Sequence, residues 1–337
     1  MNILNLDGHF FVEPLRKMGH TVLSMGQSPG KDVHLTKTIS LAKLLAILDE
    51  RNFKPDLVLW VDRCRPPSVI GIEALPAVTI GYSIDQYCNP WHAPYSAAFD
   101  LMLVAQKDYL TMFKEGNLGN ELEWAPLFCN PNRDKDRKEN RDIPASFVGT
   151  VDGSINSERK AFLNTFKKKH PLFVTEGDYV PIYNRSQLVL NQSAVGELNF
   201  RIFEAMACGA VVLTEETENG LTDLFTNGED ILLYPRGNAQ AAASIAHAAL
   251  ANLDLGQLAE NGKRNVLAAH SSTVRARHII KRAEEIAAAG PSWRQQQTKV
   301  VQQTLSTAYN MLAVDEILPL TPDLRNFYAT LGQKTFN

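Results

Sequence analysis

Residues 196–213 read GELNFRIFEAMACGAVVL, a loop, a short helix and a buried strand in immediate succession. Gly196 and Asn199 in the loop accept backbone angles that most residues avoid. Phe200, Ile202, Phe203 and Met206 mark one face of a helix, and Gly209 ends it in the left-handed conformation that glycine adopts at little cost. Ala210 to Leu213 is continuously apolar, as a strand covered on both faces requires. Two residues in this run need a reason beyond packing. Arg201 lies in the first turn and Glu204 three residues later. Helix N–H groups together with Arg201 suit a diphosphate, and a carboxylate one turn further on suits ribose hydroxyls. The plainer alternatives are a surface glutamate and an exposed Arg201–Glu204 pair at (i, i+3), worth only a few tenths of a kcal/mol.

The rest of the chain repeats the alternation of strand and helix. Asn2 to Leu6 reads as a buried strand, followed by the turn Asp7-Gly8-His9, a helix ending at Gly19 and a strand from His20 to Met25. Leu41, Leu44, Leu45 and Leu48 fall at helical spacing, and strands are expected at Leu57–Val61, Ala77–Gly81 and Leu101–Val104. The polar and aromatic stretch Tyr82 to His92 follows a strand, the edge at which open α/β sheets bind ligands. From Asn130 to Asp142 the chain carries five basic and four acidic residues and nothing apolar, which reads as a solvated linker. Beyond it, strands at 146–148, 172–174, 188–190, 211–213 and 231–233 alternate with helices, among them 157–169, 238–252, 255–268 and 273–288. That alternation predicts a second parallel sheet. The expected division is 1–129 for a first Rossmann-like domain, 130–144 for the linker, 145–290 for a second Rossmann-like domain and 291–337 for a helical tail. In the tail Val300, Val301, Leu305, Tyr309 and Leu312 fit one helical face, available to the first domain or to a partner.

At 337 residues, 45% of them apolar, the chain is long enough for two cores. A net charge of −3 gives no general drive toward nucleic acid or anionic lipid. Cys64, Cys88, Cys129 and Cys208 form no C-x-x-C pair, so neither a metal site nor a disulfide framework is expected. No apolar run reaches 18 residues and the first residues run straight into a strand pattern. Cytoplasmic location without a membrane span is the expectation.

Asn199-x-Arg201-x-Phe203-Glu204-Ala205, with Cys208-Gly209, then Asn219-Gly220-Leu221, Leu224-Phe225, Gly228-Glu229-Asp230 and Tyr234, resembles the C-terminal half of GT-B glycosyltransferases, nearest to the spore-maturation (CgeB-like) branch. His270, Thr273 and Arg275 resemble the helix opening that follows there, and the likeness extends over roughly residues 145–288. It implies an α/β GT-B fold, two Rossmann-like doubly wound parallel-sheet domains facing a cleft, with the donor nucleotide sugar held by the second and the acceptor by the first. Many retaining relatives separate two glutamates here by seven residues; Glu197 and Glu204 have six between them, so Glu197 is not assigned the first one's role and stereochemistry stays open.

The resemblance implies that Gly149 permits close approach of donor phosphates, with Gly196, Asn199, Arg201 and Glu204 completing the donor site. It places Tyr179, Val180 and Tyr183 around the nucleobase, although an aromatic pair at that spacing equally suits a core. For catalysis, His9 in its glycine turn and Asp85 in the loop after a strand are the candidates for general base, with His92 a third; the plainer reading is that they cap turns. Asp134 and Asp136 have D-x-D spacing but lie in the charged run, so no metal and no cofactor is expected, only a nucleoside-diphosphate sugar as donor substrate. The acceptor is a protein, glycan or small molecule, with no nucleic acid as partner. A non-catalytic nucleotide-sugar-binding or assembly protein and a sugar-nucleotide epimerase are the competing readings.

Overall fold

The computed structural model describes residues 1–115, 119–153 and 156–333. The chain forms two compact units: Met1–Ala125 together with the chain from Arg275 onward, and Pro126–Val274. In the first unit, β1 (Asn2–Asp7), β2 (Thr21–Gly26), β3 (Val33–His34), β4 (Leu57–Val61), β5 (Val78–Ser83), β6 (Leu101–Val104) and β7 (Glu121–Trp124) form a sheet ordered β3-β2-β1-β4-β5-β6-β7, parallel throughout. This is the 3-2-1-4-5-6 winding with one strand added, and its order reverses between β1 and β4. β4, LVLWV, is buried at all five positions, as helices on both faces demand.

β7 is absent from the sequence reading because its residues, ELEW, alternate charge with bulk. It is an edge strand, and its glutamates are taken up by the Ser272–Ala288 helix. His278 Nε2 lies 2.6 Å from Glu123, and Arg282 pairs with Glu121. Charged side chains on an edge strand also discourage pairing with another chain.

The C-terminal segment is part of the first unit, so the described residues of the expected tail, 291–333, are not a separate element, and residues from 275 do not belong with the second unit. Val301, Leu305, Tyr309 and Leu312, on the Thr298–Val314 helix, are buried in the first unit's core, each buried aliphatic contributing on the order of 1.5–3 kcal/mol. Val300 is 38% exposed and lies off that face. The face open to a partner in the sequence reading is therefore occupied within its own unit. Arg294 anchors the segment. Its side chain is 1% exposed; Nε donates to Asp100 Oδ1 at 2.9 Å and Nη2 to Asp100 Oδ2 at 3.1 Å, and its remaining N–H groups reach the carbonyls of Glu73, Leu75 and Ala77.

The second sheet is ordered β12-β11-β10-β8-β9 and is also parallel, from β8 (Ile143–Val148), β9 (Phe173–Thr175), β10 (Ser186–Asn191), β11 (Val211–Glu215) and β12 (Leu232–Tyr234). In its own numbering this is the 2-1-3-4-5 winding, with the reversal between β8 and β10. The charged run before β8 is solvated at most of its positions, but two of its residues are fixed within the second unit. Asp134 is 1% exposed and accepts from Asn130 N at 2.7 Å. Arg141 donates to the carbonyls of Tyr183, Ser186 and Cys208 at 2.9, 2.6 and 2.9 Å. Gly209, at φ +77, ends its helix as expected, and a Cβ there would sit 2.7 Å from Arg141 Nη2. Asp134 and Arg141 are thus engaged by backbone groups, while Arg133, Lys135, Arg137, Lys138, Glu139 and Asp142 remain exposed.

Arg294→Ala leaves Asp100 buried without its cation, and a loss of about 3–5 kcal/mol is expected. All four tryptophans lie in the first unit, so urea unfolding followed by tryptophan fluorescence reads that unit. An unchanged midpoint would show that the anchor contributes nothing.

Candidate functional site

The carboxyl ends of β8 and β10, where the second sheet reverses, converge on Arg201. Its Nε donates to Val148 O at 3.1 Å and its Nη1 to Asn191 Oδ1 at 2.6 Å, and the guanidinium lies 4.4 Å from the Phe147 ring centroid. Gly149, at φ +151, leaves room for it, since a Cβ would fall 2.6 Å from Arg201 Nη2. Arg159 also lies against Phe147, 5.4 Å from its ring centroid, bonded to Thr150 O and to the side chain and carbonyl of Gln192. Burial first, then the Arg201 charge, lowers its pKa to about 10. Two guanidiniums therefore approach one ring at the reversal. Arg159 was missed in the sequence because it opens an ordinary amphipathic helix, Arg159–Lys167.

The loop into the Phe200–Ala207 helix is fixed from within. Glu197 accepts from Ala194 N at 3.1 Å and Val195 N at 2.8 Å, Ser193 N donates to Glu215 at 2.7 Å, and Thr217 Oγ1 donates to Gly196 O at 2.9 Å. Glu197 is thus a loop cap. Gly196, at φ +90, faces Arg236, whose Nη1 would lie 2.8 Å from an added Cβ. Asn199 is the N-cap residue, but its side chain makes no capping bond and its Oδ1 is buried without a hydrogen-bond partner among the described residues.

Glu204, one turn on, faces Tyr179 and the charged run. Tyr179 OH lies 2.7 Å from Glu204 Oε1 and 2.9 Å from Asp134 Oδ1, while Arg133 Nη2 donates to Glu204 Oε1 at 2.9 Å and Arg133 Nε to Asp134 Oδ1 at 2.9 Å. A phenol has one proton to share between two carboxylates. A proton on Glu204 resolves the conflict, because Glu204 then donates to the tyrosine oxygen and Tyr179 to Asp134. Burial is the main cause that raises the Glu204 pKa, to about 7. Arg133 also covers the Tyr179 ring, 4.8 Å from its centroid. Val180 and Tyr183 are 3% and 1% exposed, on the packed side of the short Val180–Arg185 helix; Tyr183 nevertheless hydrogen-bonds the Arg201 side chain from there, while Tyr179 is turned to Glu204 and Asp134.

In the first unit the sheet reverses between β1 and β4, and the turn after β1 places its left-handed residue at Asp7, φ +63. Asp7 is buried, bonded by Trp60 Nε1 at 3.0 Å and by Ser68, with Arg63 Nε 3.3 Å away, and burial raises its pKa. Lys31 Nζ donates to Gly8 O at 3.0 Å, and burial lowers its pKa to about 8. His9 is exposed and stacks on Phe10 with centroids 5.3 Å apart. Asp85 accepts from Tyr87 OH at 3.2 Å, and its backbone N donates to Asp62 at 2.8 Å. His92 is fully buried, its Nδ1 2.8 Å from Ser83 Oγ and its Nε2 3.8 Å from Asp62, and burial lowers its pKa. That is a core histidine.

Glu204 sets a pH dependence. Below about pH 4.5, its ordinary value, it is neutral folded and unfolded; between there and about 7 only the unfolded chain releases the proton. Stability therefore falls as pH rises through this window, by an amount on the order of 3 kcal/mol at most. Glu204→Gln should flatten that fall when melting of the second unit is followed by calorimetry. Identical pH slopes in both proteins would exclude the assignment.

Residues 136–281 match the family described as glycosyl transferase-like. No protein of curated function matches the sequence. Among solved structures, a glycosyltransferase from Rickettsia africae superposes with a TM-score of 0.61 at 14% identity, over 85% of this chain and 98% of its own. HepE from Anabaena in complex with UDP-glucose gives 0.63 at 13% identity, over 86% and 100%. Sucrose-phosphate synthase from Thermosynechococcus elongatus gives 0.60 at 14%, over 86% and 100%. No helix among the described residues is long and apolar enough to cross a membrane. The chain thus carries a glycosyl transferase-like domain over residues 136–281 and has the α/β fold, with two doubly wound parallel-sheet domains, of GT-B glycosyltransferases.

Proposed function

We propose that the protein transfers a sugar from a nucleoside-diphosphate sugar to an acceptor nucleophile, with the donor held by the second unit. The observation that carries this reading is the arrangement at the reversal of the second sheet, where Arg201 is seated beside Gly149 at the head of the Phe200–Ala207 helix. Such helix and guanidinium donors stabilise charge growing on a departing diphosphate. Glu204, in its ionised form, accepts from ribose hydroxyls, exchanging Tyr179 or Arg133 for the sugar. Tyr179 borders the base. The charge on the leaving group is met by arginine and backbone N–H groups rather than by a metal ion. A uridine diphosphate sugar is the first donor to test, since HepE from Anabaena is in complex with UDP-glucose.

The acceptor falls to the first unit, with His9 or Asp85 as base if configuration is inverted. The nearest family branch is the spore-maturation (CgeB-like) one, and the enzyme works in the cytoplasm on a protein, glycan or small molecule.

Calorimetric titration with a panel of nucleoside diphosphates and their sugar conjugates, followed by assay of diphosphate release, tests the reading. One base should bind, with slow release of diphosphate. Glu204→Ala and Arg201→Ala should each weaken that binding about tenfold or more while circular dichroism shows intact folding. Retained affinity in both would remove the argument. Donor affinity should also fall as pH drops through about 7, where Glu204 takes up its proton. His9→Ala and Asp85→Asn should spare donor binding and depress turnover. No binding across the panel would overturn the transferase reading.

A further inference from the structure

Two neighbouring loops leave the carboxyl edge of the first sheet, one after β4 and one after β5, strands that pair directly. Each carries a cysteine. Cys64 Sγ and Cys88 Sγ lie 3.7 Å apart, and Asn89 Nδ2 reaches both, at 3.6 and 3.3 Å. One carboxylate fixes the two loops together: Asp62 Oδ1 accepts from Cys64 N at 2.7 Å, while Oδ2 accepts from Ile84 N at 3.1 Å and Asp85 N at 2.8 Å. Cys64 is exposed and sits at φ +58, a left-handed conformation that a non-glycine residue holds only where its surroundings impose it.

The chemistry of the pair differs from that of the other cysteines. The hydrogen bond from Cys88 stabilises a thiolate on Cys64 and brings its pKa to about 6, and the same contact pushes the Cys88 thiol up. The two sulfurs share a proton, so the first is lost easily and the second with difficulty. Cys129 and Cys208 are buried, and burial pushes both thiols up, Cys129 to about 12.

We propose that Cys64 and Cys88 form a reversible dithiol–disulfide site that reacts with low-molecular-weight disulfides of the glutathione type. The Cys64 thiolate attacks one sulfur of the external disulfide, whose S–S bond breaks and releases one thiolate. Cys88, after giving its proton to solvent, attacks Cys64 Sγ and displaces the second thiolate. The protein dithiol loses two electrons and two protons, and the external disulfide becomes two thiols. The sulfurs close from 3.7 Å to the bonded distance of about 2.05 Å, stapling the loop that carries Asp85 to the loop after β4.

The native full-length chain is incubated with excess oxidised glutathione, then denatured, its thiols counted and its mass measured. Two thiols should disappear, the mass should fall by two hydrogens with no glutathione retained, peptide mapping should join Cys64 to Cys88, and dithiothreitol should reverse the change. Cys88→Ser should stop at one glutathione on Cys64. Four free thiols after incubation, a wild-type chain that keeps glutathione, or loss at Cys129 or Cys208 instead would each overturn the proposal. None of these readouts depends on sugar transfer.

Discussion

The second unit is organised around a cation held where its sheet changes direction. A parallel sheet leaves a crevice at that point because consecutive crossovers depart to opposite sides, and the strand ends there present unpaired carbonyls. Arg201 fills part of it, with one N–H on the last carbonyl of β8 and another on Asn191 at the end of β10. A guanidinium carries five donors in a fixed fork, so engaging two of them orients the rest. The glycine at 149 and the Phe147 ring then follow as requirements of that placement: one clears space for the fork and the other supplies an apolar face for it to rest on. Arg159 on the same ring adds a second charge, and the carboxylates of Glu197 and Glu215 act on it to offset the repulsion from Arg201.

A second constraint comes from the charged run before β8. Its Arg141 donates to the carbonyls of Tyr183 and Ser186 and to that of Cys208 at the end of the Phe200–Ala207 helix, and the run brings Arg133 to Glu204 and Asp134 to Tyr179. Glu204 is consequently poised rather than fixed. It has a partner for either protonation state, Tyr179 and Arg133 for the anion and the tyrosine oxygen for the acid. A ligand hydroxyl that offers a better donor can therefore replace a partner without leaving a buried group unsatisfied.

Much of this fold was legible because parallel strands covered on both faces are nearly continuous apolar runs; β4 and β6 lie at the residues expected, Leu57–Val61 and Leu101–Val104. The strand with alternating glutamates, β7, was not, because an edge strand reads as polar chain until the helix that neutralises it is known. The loop at 196–199 and the helix end at Gly209 were legible from glycine, whose placement reports backbone geometry directly. The charged run was legible only in part: composition shows its exposed charges, but not that Arg141 is held by the carbonyls of Tyr183, Ser186 and Cys208, which no local pattern reveals. Arg159 was hidden similarly, its role being set by Gln192 and Thr150 rather than by its own neighbours in sequence.

The first unit shows how a buried carboxylate without a matching cation can still organise a site. Asp62 is 1% exposed, and three backbone N–H groups, those of Cys64, Ile84 and Asp85, converge on it. Such saturation leaves little acceptor capacity for His92, whose Nε2 stands 3.8 Å away and whose ring burial keeps neutral. His92, though its ring is held by Ser83, therefore lacks the solvent-reachable imidazole that proton abstraction needs. The same carboxylate, by holding Asp85's own amide, fixes the start of the loop on which Asp85 and Cys88 are carried. Position at this edge is thus set by backbone hydrogen bonds to one aspartate, and the side chains that project from it are free to differ in chemistry.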